Sequence, residues 1–493
     1  MISLKNVSFS YDGQENNGLH DISLEIPRGQ CVLLCGESGC GKTTITRLIN
    51  GLIPHFFSGK LSGEVSVCGL DVMGTDIADI SDYVGSVFQN PRTQFFNTDT
   101  DSEIVFGLEN RALPQDKLKK SLEKTSRELN LSTLRRRNIF ELSGGEKQKI
   151  AFASVYATES EIFVLDEPSS NLDMGVIEEL TALLQRVKAQ GKTIIIAEHR
   201  LWYLMDVADR VIYMHSGRIL KDMTIAEFQA LPESEIFTMG LRCRNLSHVR
   251  QTAAVPKPND NELTVQKIAV RLGKQTILQN LSFTVHGGEV IAIVGKNGVG
   301  KTTLARVLCG LQKNDTGDIL LHGKSLPEKQ RRKCTYMVMQ DVGHQLFTDS
   351  VEAECLLGVK APDATAVERA LEWLDLLDYK GRHPLSLSGG QKQRLAVAVS
   401  LLCEKEVLIF DEPTSGLDLK SMQEVGRLAK ELSAQGKILL IITHDYEFIQ
   451  GICSRVLLLE DGRISKDLSG AMCGTILEKM KGVINETGKE SYL

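Results

Sequence analysis

The sequence predicts an α/β protein made of two tandem copies of one domain, and three observations carry that expectation. Four motifs recur in the same order in both halves of the 493 residues. Short, continuous apolar runs precede the motifs. The stretches between them show helical spacing and stop at glycine.

The recurrence comes first. "GESGCGKTT" (Gly36 to Thr44) returns as "GKNGVGKTT" (Gly295 to Thr303), and "LSGGEKQ" (Leu142 to Gln148) as "LSGGQKQ" (Leu387 to Gln393). "FVLDEPSSNLD" (Phe163 to Asp173) returns as "LIFDEPTSGLD" (Leu408 to Asp418), and "IIIAEHR" (Ile194 to Arg200) as "LIITHDY" (Leu440 to Tyr446). A period near half the chain marks a domain duplication, not a solenoid. Lys42 and Lys301 lie 259 positions apart, whereas Asp166 and Asp411, like His199 and His444, lie 245 apart. The first half therefore holds 14 extra residues between its glycine-rich loop and its "LSGG", some of them around "LIPHFFSGKLSG" (Leu52 to Gly63).

The apolar runs "CVLLCG", "IFVLDE" and "TIIIAEH", then "VIAIVG", "VLIFDE" and "ILLIITH", suit parallel strands covered on both faces by helices. "VIEELTALLQRVKAQG" (Val176 to Gly191) has helical spacing and ends at glycine. "LRCRNLSHVRQTAAVPKPNDNE" (Leu241 to Glu262) is polar, holds two prolines and reads as a solvated tether. "NETGKESYL" reads as a frayed tail. The expected organisation is a first domain over 1–235, a linker over 236–260, a second domain over 261–480 and a tail over 481–493.

Composition narrows the class. Hydrophobic residues at 42% and charged residues at 24% supply ordinary globular cores. A net charge of −6 argues against a general nucleic-acid binder, which needs clustered basic residues to displace counterions. The 11 cysteines include no C-x-x-C pair and are expected to be reduced thiols, Cys40 in the first glycine-rich loop being a small space-filling residue. The amino terminus lacks the basic and apolar segments of a signal peptide. No run reaches the roughly 18 apolar residues of a membrane-spanning helix, so the chain is not expected to cross a bilayer itself.

The motifs have definite chemistry. Both glycine-rich stretches fit G-x-x-x-x-G-K-[ST] between an apolar strand and a helix. Gly36, Gly39 and Gly41, with Gly295, Gly298 and Gly300 in the second half, let backbone N–H groups turn inward around phosphates. Lys42 and Lys301 would reach the β- and γ-phosphates of ATP; Thr43 and Thr302 would hold Mg²⁺, with Thr44 and Thr303 beside them. At the strand ends, Asp166 and Asp411 can hold the Mg²⁺ shell, while Glu167 and Glu412 can orient and deprotonate an attacking water. In "LSGG", Ser143 and Ser388 are good helix N-caps, and Gly144, Gly145, Gly389 and Gly390 allow close approach of a ligand to the backbone. This is a second anion site in each domain. ATP bound across a domain interface is the economical use for it.

This ordered set, covering essentially the whole chain twice, resembles the ABC-type nucleotide-binding domain. The resemblance implies a P-loop fold in each half: a RecA-like α/β core, a helical signature subdomain and a small antiparallel β subdomain. It further implies a head-to-tail pair of halves with two composite sites. One would join Lys42, Asp166, Glu167 and His199 to Ser388, Gly389 and Gly390. The other would join Lys301, Asp411, Glu412 and His444 to Ser143, Gly144 and Gly145. Gln89 and Gln340 fall where the family's glutamine loop reaches toward Mg²⁺ and water. Tyr11 falls where the family stacks an aromatic on adenine, whereas the second half offers Leu272 and is expected to hold nucleotide less tightly. Glu146, in place of the usual glutamine kept as Gln391, is expected to bring negative charge near the second site. Both sites retain Glu and His, so both are expected to hydrolyse ATP.

The segment after Gln89, "NPRTQFFNTDTDSEIVFGLEN", resembles the corresponding part of the ATPases of energy-coupling-factor (ECF) transporters, and "MQDVGHQLFTDSVEAECLLG" (Met339 to Gly358) follows the same plan. In that family the region receives a coupling helix from the membrane-embedded T subunit. Gln94, Phe95 and Phe96, with Gln345, Leu346 and Phe347, are expected to offer that surface, at least one of Phe95 and Phe96 packing inward. The resemblance implies an ATPase powering uptake of a vitamin or similar micronutrient through T and substrate-binding S subunits. It would lie peripherally on the cytoplasmic face of the cell membrane, in one copy per complex and without nucleic acid. Fused ATPases of sugar importers are the near alternative, though they commonly carry one degraded site. A soluble double-ABC translation factor is the alternative from another class, but it joins its domains by a long, charged, helical linker. Chromosome-structuring ATPases would need sustained heptads, which are absent.

Overall fold

A computed structural model describes residues 1–13, 18–251, 259–359 and 363–481. They form two compact units, one made of Met1–Leu172 and Val176–Arg244, the other of Asp173–Gly175 and the described residues from Asn245 on. Residues 252–258 of the sequence-assigned linker, and its tail from 482 onward, lie outside the described residues.

In the first unit, alternating apolar residues in "ISLKNVSFSY" make β1 (Ile2–Tyr11), which buries Ile2, Leu4, Val7 and Phe9. It pairs antiparallel with β2 (Gly18–Ile26). The continuous apolar run gives β3 (Cys31–Gly36), buried along its whole length, and α1 (Lys42–Ile49) follows. β4 (Gly59–Val67) and β5 (Leu70–Asp71) complete a four-stranded antiparallel sheet ordered β2-β1-β4-β5. Then come β6 (Val84–Val87), α2 (Thr100–Asn110), α3 (Gln115–Glu128), α4 (Gly144–Ala157), β7 (Ile162–Asp166), α5 (Met174–Ala189) and β8 (Thr193–Ala197). β9 (Arg210–His215) and β10 (Arg218–Thr224) close a six-stranded sheet ordered β10-β9-β3-β8-β7-β6, parallel apart from the β9–β10 hairpin. Side chains of β3 alternate between two cores. Cys31, Leu33 and Cys35 pack with Phe152, Phe163 and Leu184, while Val32 and Leu34 pack with Ile2, Leu4 and Ile45. A strand covered on both faces has no polar side to show, which is why its sequence reads as unbroken apolar.

The second unit repeats the plan. β11 (Glu262–Leu272), β12 (Gln275–His286), β13 (Val290–Val294), α6 (Lys301–Leu308), β14 (Thr316–Leu321) and β15 (Lys324–Ser325) come first. β16 (Thr335–Val338), α7 (Val351–Leu356), α8 (Ala364–Trp373), α9 (Gly389–Leu402), β17 (Val407–Asp411), α10 (Leu419–Ala434), β18 (Ile438–Ile442), β19 (Arg455–Glu460) and β20 (Arg463–Ser469) follow. Its sheets are ordered β12-β11-β14-β15 and β16-β17-β18-β13-β19-β20. Eight of the 14 extra residues precede Gln89, where the turn Leu52–His55 and a β4 of 9 residues against 6 in β14 lie, and six follow it, where α2 and α3 have 11 and 14 residues against 6 and 10 in α7 and α8. Among the described residues no helix is long and apolar enough to cross a membrane.

One expectation fails. The stretch from Leu241 does not begin as a solvated tether, because Leu241, Arg242, Arg244 and Leu246 are buried. Arg244 donates to the carbonyl oxygens of Phe228 and Leu231, the latter at 2.8 Å, and pairs with Glu233 at 2.9 Å. Its guanidinium adds a donor to the Phe228 carbonyl, which also accepts from the Leu231 N–H at 3.3 Å, and satisfies that of Leu231 just past the end of the helix Ile225–Ala230. Polar composition hides such an anchor. Arg244→Ala is expected to lower the unfolding free energy of the first unit by about 2 kcal/mol in urea titrations, whereas a tether residue would change it by less than about 0.5.

Candidate functional site

Parallel registry brings three strand ends to one level in each unit. Leu34 of β3 lies opposite Ala197 of β8, which lies opposite Asp166 of β7. In the second unit Ile293, Ile442 and Asp411 are aligned through Ile293–Ile442 and Ile442–Asp411 pairing. The loops that leave these carboxyl ends therefore share one crevice, where open α/β sheets bind ligands.

The glycine-rich loop leaves β3 at Gly36, φ 148°, where a Cβ would sit 2.2 Å from the Met214 carbonyl oxygen. Gly295, φ 153°, would meet the Leu459 carbonyl oxygen at 2.3 Å. Only glycine fits there. Gly41 and Gly300, at φ 106° and 107°, turn the chain into α1 and α6, and Gly39 and Gly298 also lie at positive φ. Lys42 Nζ donates to the carbonyl oxygens of Gly36 and Glu37, both at 2.9 Å, and Lys301 Nζ to those of Gly295 and Lys296 at 2.7 and 2.9 Å. Each ammonium is thus held over its own loop, and burial lowers the pKa of Lys301.

Thr43 Oγ1 donates to Asp166 Oδ1 at 3.1 Å, and Thr302 Oγ1 to Asp411 Oδ2 at 2.9 Å. A hydroxyl and a carboxylate in contact are hard oxygen donors, and this set fits Mg²⁺. Desolvation, then the neighbouring Glu167 carboxylate, push the pKa of Asp166 up to about 6, and desolvation raises that of Asp411 too.

Glu167 and Glu412 have left-handed backbones, φ 46° and 52°. Their N–H groups donate to the Ala197 and Ile442 carbonyl oxygens at 2.8 and 2.9 Å. Gln89 Nε2 donates to Glu167 Oε2 at 2.5 Å, and His199 Nε2 lies 3.5 Å from Glu167 Oε1. His444 Nε2 lies 3.4 Å from Glu412 Oε1 and 3.0 Å from Asn297 Oδ1 of the glycine-rich loop. Gln340 is exposed after β16. A carboxylate poised between an amide and an imidazole can orient a water and accept its proton.

Ser143 and Ser388 cap α4 and α9, each with a capping box. Each hydroxyl accepts from the N–H three residues on at 3.3 Å, leaving its own proton to donate outward. A Cβ at Gly144 or Gly389 would meet nothing within 4 Å, whereas Gly145 and Gly390 abut Val176 and Leu417. Glu146 corrects an expectation. Its carboxylate closes the capping box at Ser143 N, 2.8 Å, and pairs with Arg137 at 2.8 Å, so the charge is matched within its own unit. Burial opposes its ionisation, but the Ser143 and Arg137 hydrogen bonds outweigh it and lower the pKa. The Tyr11 hydroxyl lies 3.2 Å from Thr44 Oγ1 in the first turn of α1, the helix that follows the glycine-rich loop. Leu272 ends β11 and is exposed.

The loop after Gln89 departs from expectation in its polar members. Gln94 turns inward, accepting from Phe88 N at 3.3 Å and donating to the Ser86 carbonyl oxygen at 3.1 Å. Gln345 does the same with Met339 N and the Met337 carbonyl oxygen, both at 2.9 Å. Phe95 packs on the core and Leu346 is buried. Only Phe96 and Phe347 project, each 75% exposed. Buried Glu103 accepts from Phe96 N and Asn97 N at 3.1 and 2.8 Å, and buried Glu354 accepts from Phe347 N and Thr348 N, both at 2.9 Å. Sequence reasoning missed these glutamates. Their signal was the shared 251-residue offset of Gln94–Gln345, Phe96–Phe347 and Glu103–Glu354. It also missed buried Glu198 and Arg200, which flank His199. Glu198 accepts from Ser169 N at 3.2 Å, and Arg200 donates to the Ser169 and Leu172 carbonyl oxygens at 3.2 and 3.3 Å. Two charged residues within three positions of the end of a strand that runs Ile-Ile-Ile-Ala were the clue.

Comparison with known proteins gives consistent results. Residues 19–170 and 278–415 match the family described as ABC transporter. The chain is 62% identical to a "Putative ABC transporter ATP-binding protein" of Treponema denticola, over 95% of this chain and 97% of that protein. It is 33% identical to the "Putative HMP/thiamine import ATP-binding protein YkoD" of Bacillus subtilis, over 96% and 92%. Among solved structures, a "Model of ribosome-bound archaeal Pelota and ABCE1" aligns with a TM-score of 0.68 at 21% identity, covering 94% of this chain and 78% of that one. A likeness at that identity shows shared fold.

Two outcomes are expected. Glu167→Gln combined with Glu412→Gln should cut steady-state phosphate release at least about a hundredfold while ATP still binds, measured by release assay and equilibrium dialysis. Because the Asp166 pKa is raised to about 6, its carboxylate becomes protonated as pH falls through that value. Mg²⁺-dependent nucleotide affinity of the first unit, followed by titration calorimetry, should be flat above about pH 7 and fall by up to about tenfold per pH unit below 6.

Proposed function

Because the chain belongs to the ABC transporter family, whose ATP-binding proteins bind ATP with Mg²⁺ and hydrolyse it, we propose that it is the ATPase of an ECF-type importer. It would drive uptake of a vitamin or related micronutrient through membrane T and S subunits, from the cytoplasmic face of the membrane. The observation that carries the reading is the pair of loops presenting Phe96 and Phe347. Each tip is an exposed aromatic on a loop pinned by a buried glutamate, and it stands where the ECF resemblance puts the groove for a coupling helix. The import-related name of the Bacillus relative supports the same reading.

In this reading the units pair head to tail, the capped serine of one facing the glycine-rich loop of the other, with one chain per complex. Lys42 and Lys301 exchange their loop carbonyls for phosphate oxygens. Thr43 with Asp166, and Thr302 with Asp411, hold Mg²⁺, which when bound offsets charge developing on the transferred phosphoryl group. Glu167 and Glu412 orient water and take its proton, with Gln89 and His199 or Gln340 and His444 beside them. Closing and reopening the units can bias a membrane partner, since moving a two-state equilibrium from 1:99 to 99:1 takes about 5.5 kcal/mol of differential binding.

Two measurements test the reading. Affinity purification from gently solubilised native membranes, with mass spectrometry, is expected to bring down a polytopic membrane protein and a small hydrophobic binding protein. An extracytoplasmic sugar-binding protein would point to a sugar importer, and ribosomal proteins from the soluble fraction would replace the reading with a translation factor. Phe96→Asp or Phe347→Asp is expected to weaken recovery of the membrane partner about tenfold or more while basal ATPase stays within about twofold. Equal loss of both would assign those rings to packing.

A further inference from the structure

The eight extra residues that the first half holds between Lys42 and Gln89 do more than lengthen a strand. They place Phe57 beside the glycine-rich-loop helix of the first unit. Arg47, in the last turn of α1, lies with its guanidinium carbon 3.9 Å from the Phe57 ring centroid and 5.9 Å from that of Tyr11. The same guanidinium donates to the Tyr11 hydroxyl at 3.0 Å, and that hydroxyl also contacts Thr44 Oγ1 at 3.2 Å. Phe9 and Phe57 meet the Tyr11 ring edge-to-face, with centroids at 4.8 and 6.4 Å. Tyr11 is therefore fixed at its hydroxyl and by two neighbouring rings. Its tilt is set by α1, the helix whose first turn carries Lys42 and Thr43.

We propose that Arg47 and Phe57 are positioning residues that fix Tyr11 as a platform for the purine ring of a nucleoside triphosphate, making the first unit the tighter nucleotide site. An aromatic at a strand end that is free to rotate must lose that freedom when a base stacks on it; a ring already tied at its hydroxyl loses little. The cation stacked on Phe57 holds the hydroxyl partner in place. The second unit lacks both rings. Leu272 ends its strand, the insertion is missing, and among the described residues Arg306, the counterpart of Arg47, lies over no aromatic ring. Its affinity then rests on the phosphate contacts alone. The inference rests on nucleotide binding and stands apart from the importer reading.

The test uses the full chain carrying Lys301→Ala, so that the first unit dominates binding, and compares Mg²⁺–ATP with Mg²⁺–tripolyphosphate, which has no base, by titration calorimetry. Tyr11→Leu sets the scale. Arg47→Leu and Phe57→Leu are each expected to weaken ATP binding by about five- to tenfold and tripolyphosphate binding by less than about twofold, and Phe57→Tyr to restore ATP affinity to within about twofold of the parent. Should Arg47→Leu fail to fold, the partly exposed Phe57 still permits the experiment. Equal losses for the two ligands would reduce both residues to supports of α1, and unchanged ATP affinity in Phe57→Leu or Tyr11→Leu would overturn the proposal.

Discussion

The carboxylate that follows each Asp at a strand end sits in a backbone conformation that side chains other than glycine rarely adopt. Holding Glu167 and Glu412 at positive φ costs on the order of 1 kcal/mol each. The turn persists because its N–H group bonds the end of the adjacent strand, Ala197 in one unit and Ile442 in the other. Continued as an extended strand, the chain would point the glutamate away from the crevice. Turned left-handed, it meets Gln89 and His199 on one side while Asp166 keeps its contact with Thr43. The site depends on this bend, and the bend depends on neighbouring parallel strands ending level.

Much of this was legible because the signals are local. Glycine spacing around Lys42 and Lys301, apolar runs buried on two faces, and serines ahead of Gly-Gly each impose one conformation through nearby atoms. What escaped reading depended on partners distant in sequence or on polar residues turned inward. Gln94 and Gln345 look like surface in a string of letters, yet they tie their loops to the ends of β6 and β16. Arg244 reads as tether and behaves as a helix-end clamp. Glu146 reads as a stray charge until Arg137, nine positions earlier, is seen to hold it. Charge and polarity announce a need for partners without saying where those partners lie.

Duplication makes the differences between the halves informative. Two units share a sheet order, a capping box and a pinned aromatic loop, so each mismatch marks a place where the two are not held to one solution. Two mismatches border the crevice, at the aromatic beside α1 and at the residues flanking the histidine, while the exposed phenylalanines of the loops are kept alike.

Those loops have one more consequence. Glu103 and Glu354, buried and bonded to consecutive N–H groups, fix the backbone behind Phe96 and Phe347 before anything docks on them. A preorganised tip forfeits little conformational entropy on association, so a small apolar contact can hold well without a large interface. The same rigidity removes adaptability. In the proposed importer, a coupling helix that drifted in shape could not be followed by the loop, and the two surfaces would have to evolve in step.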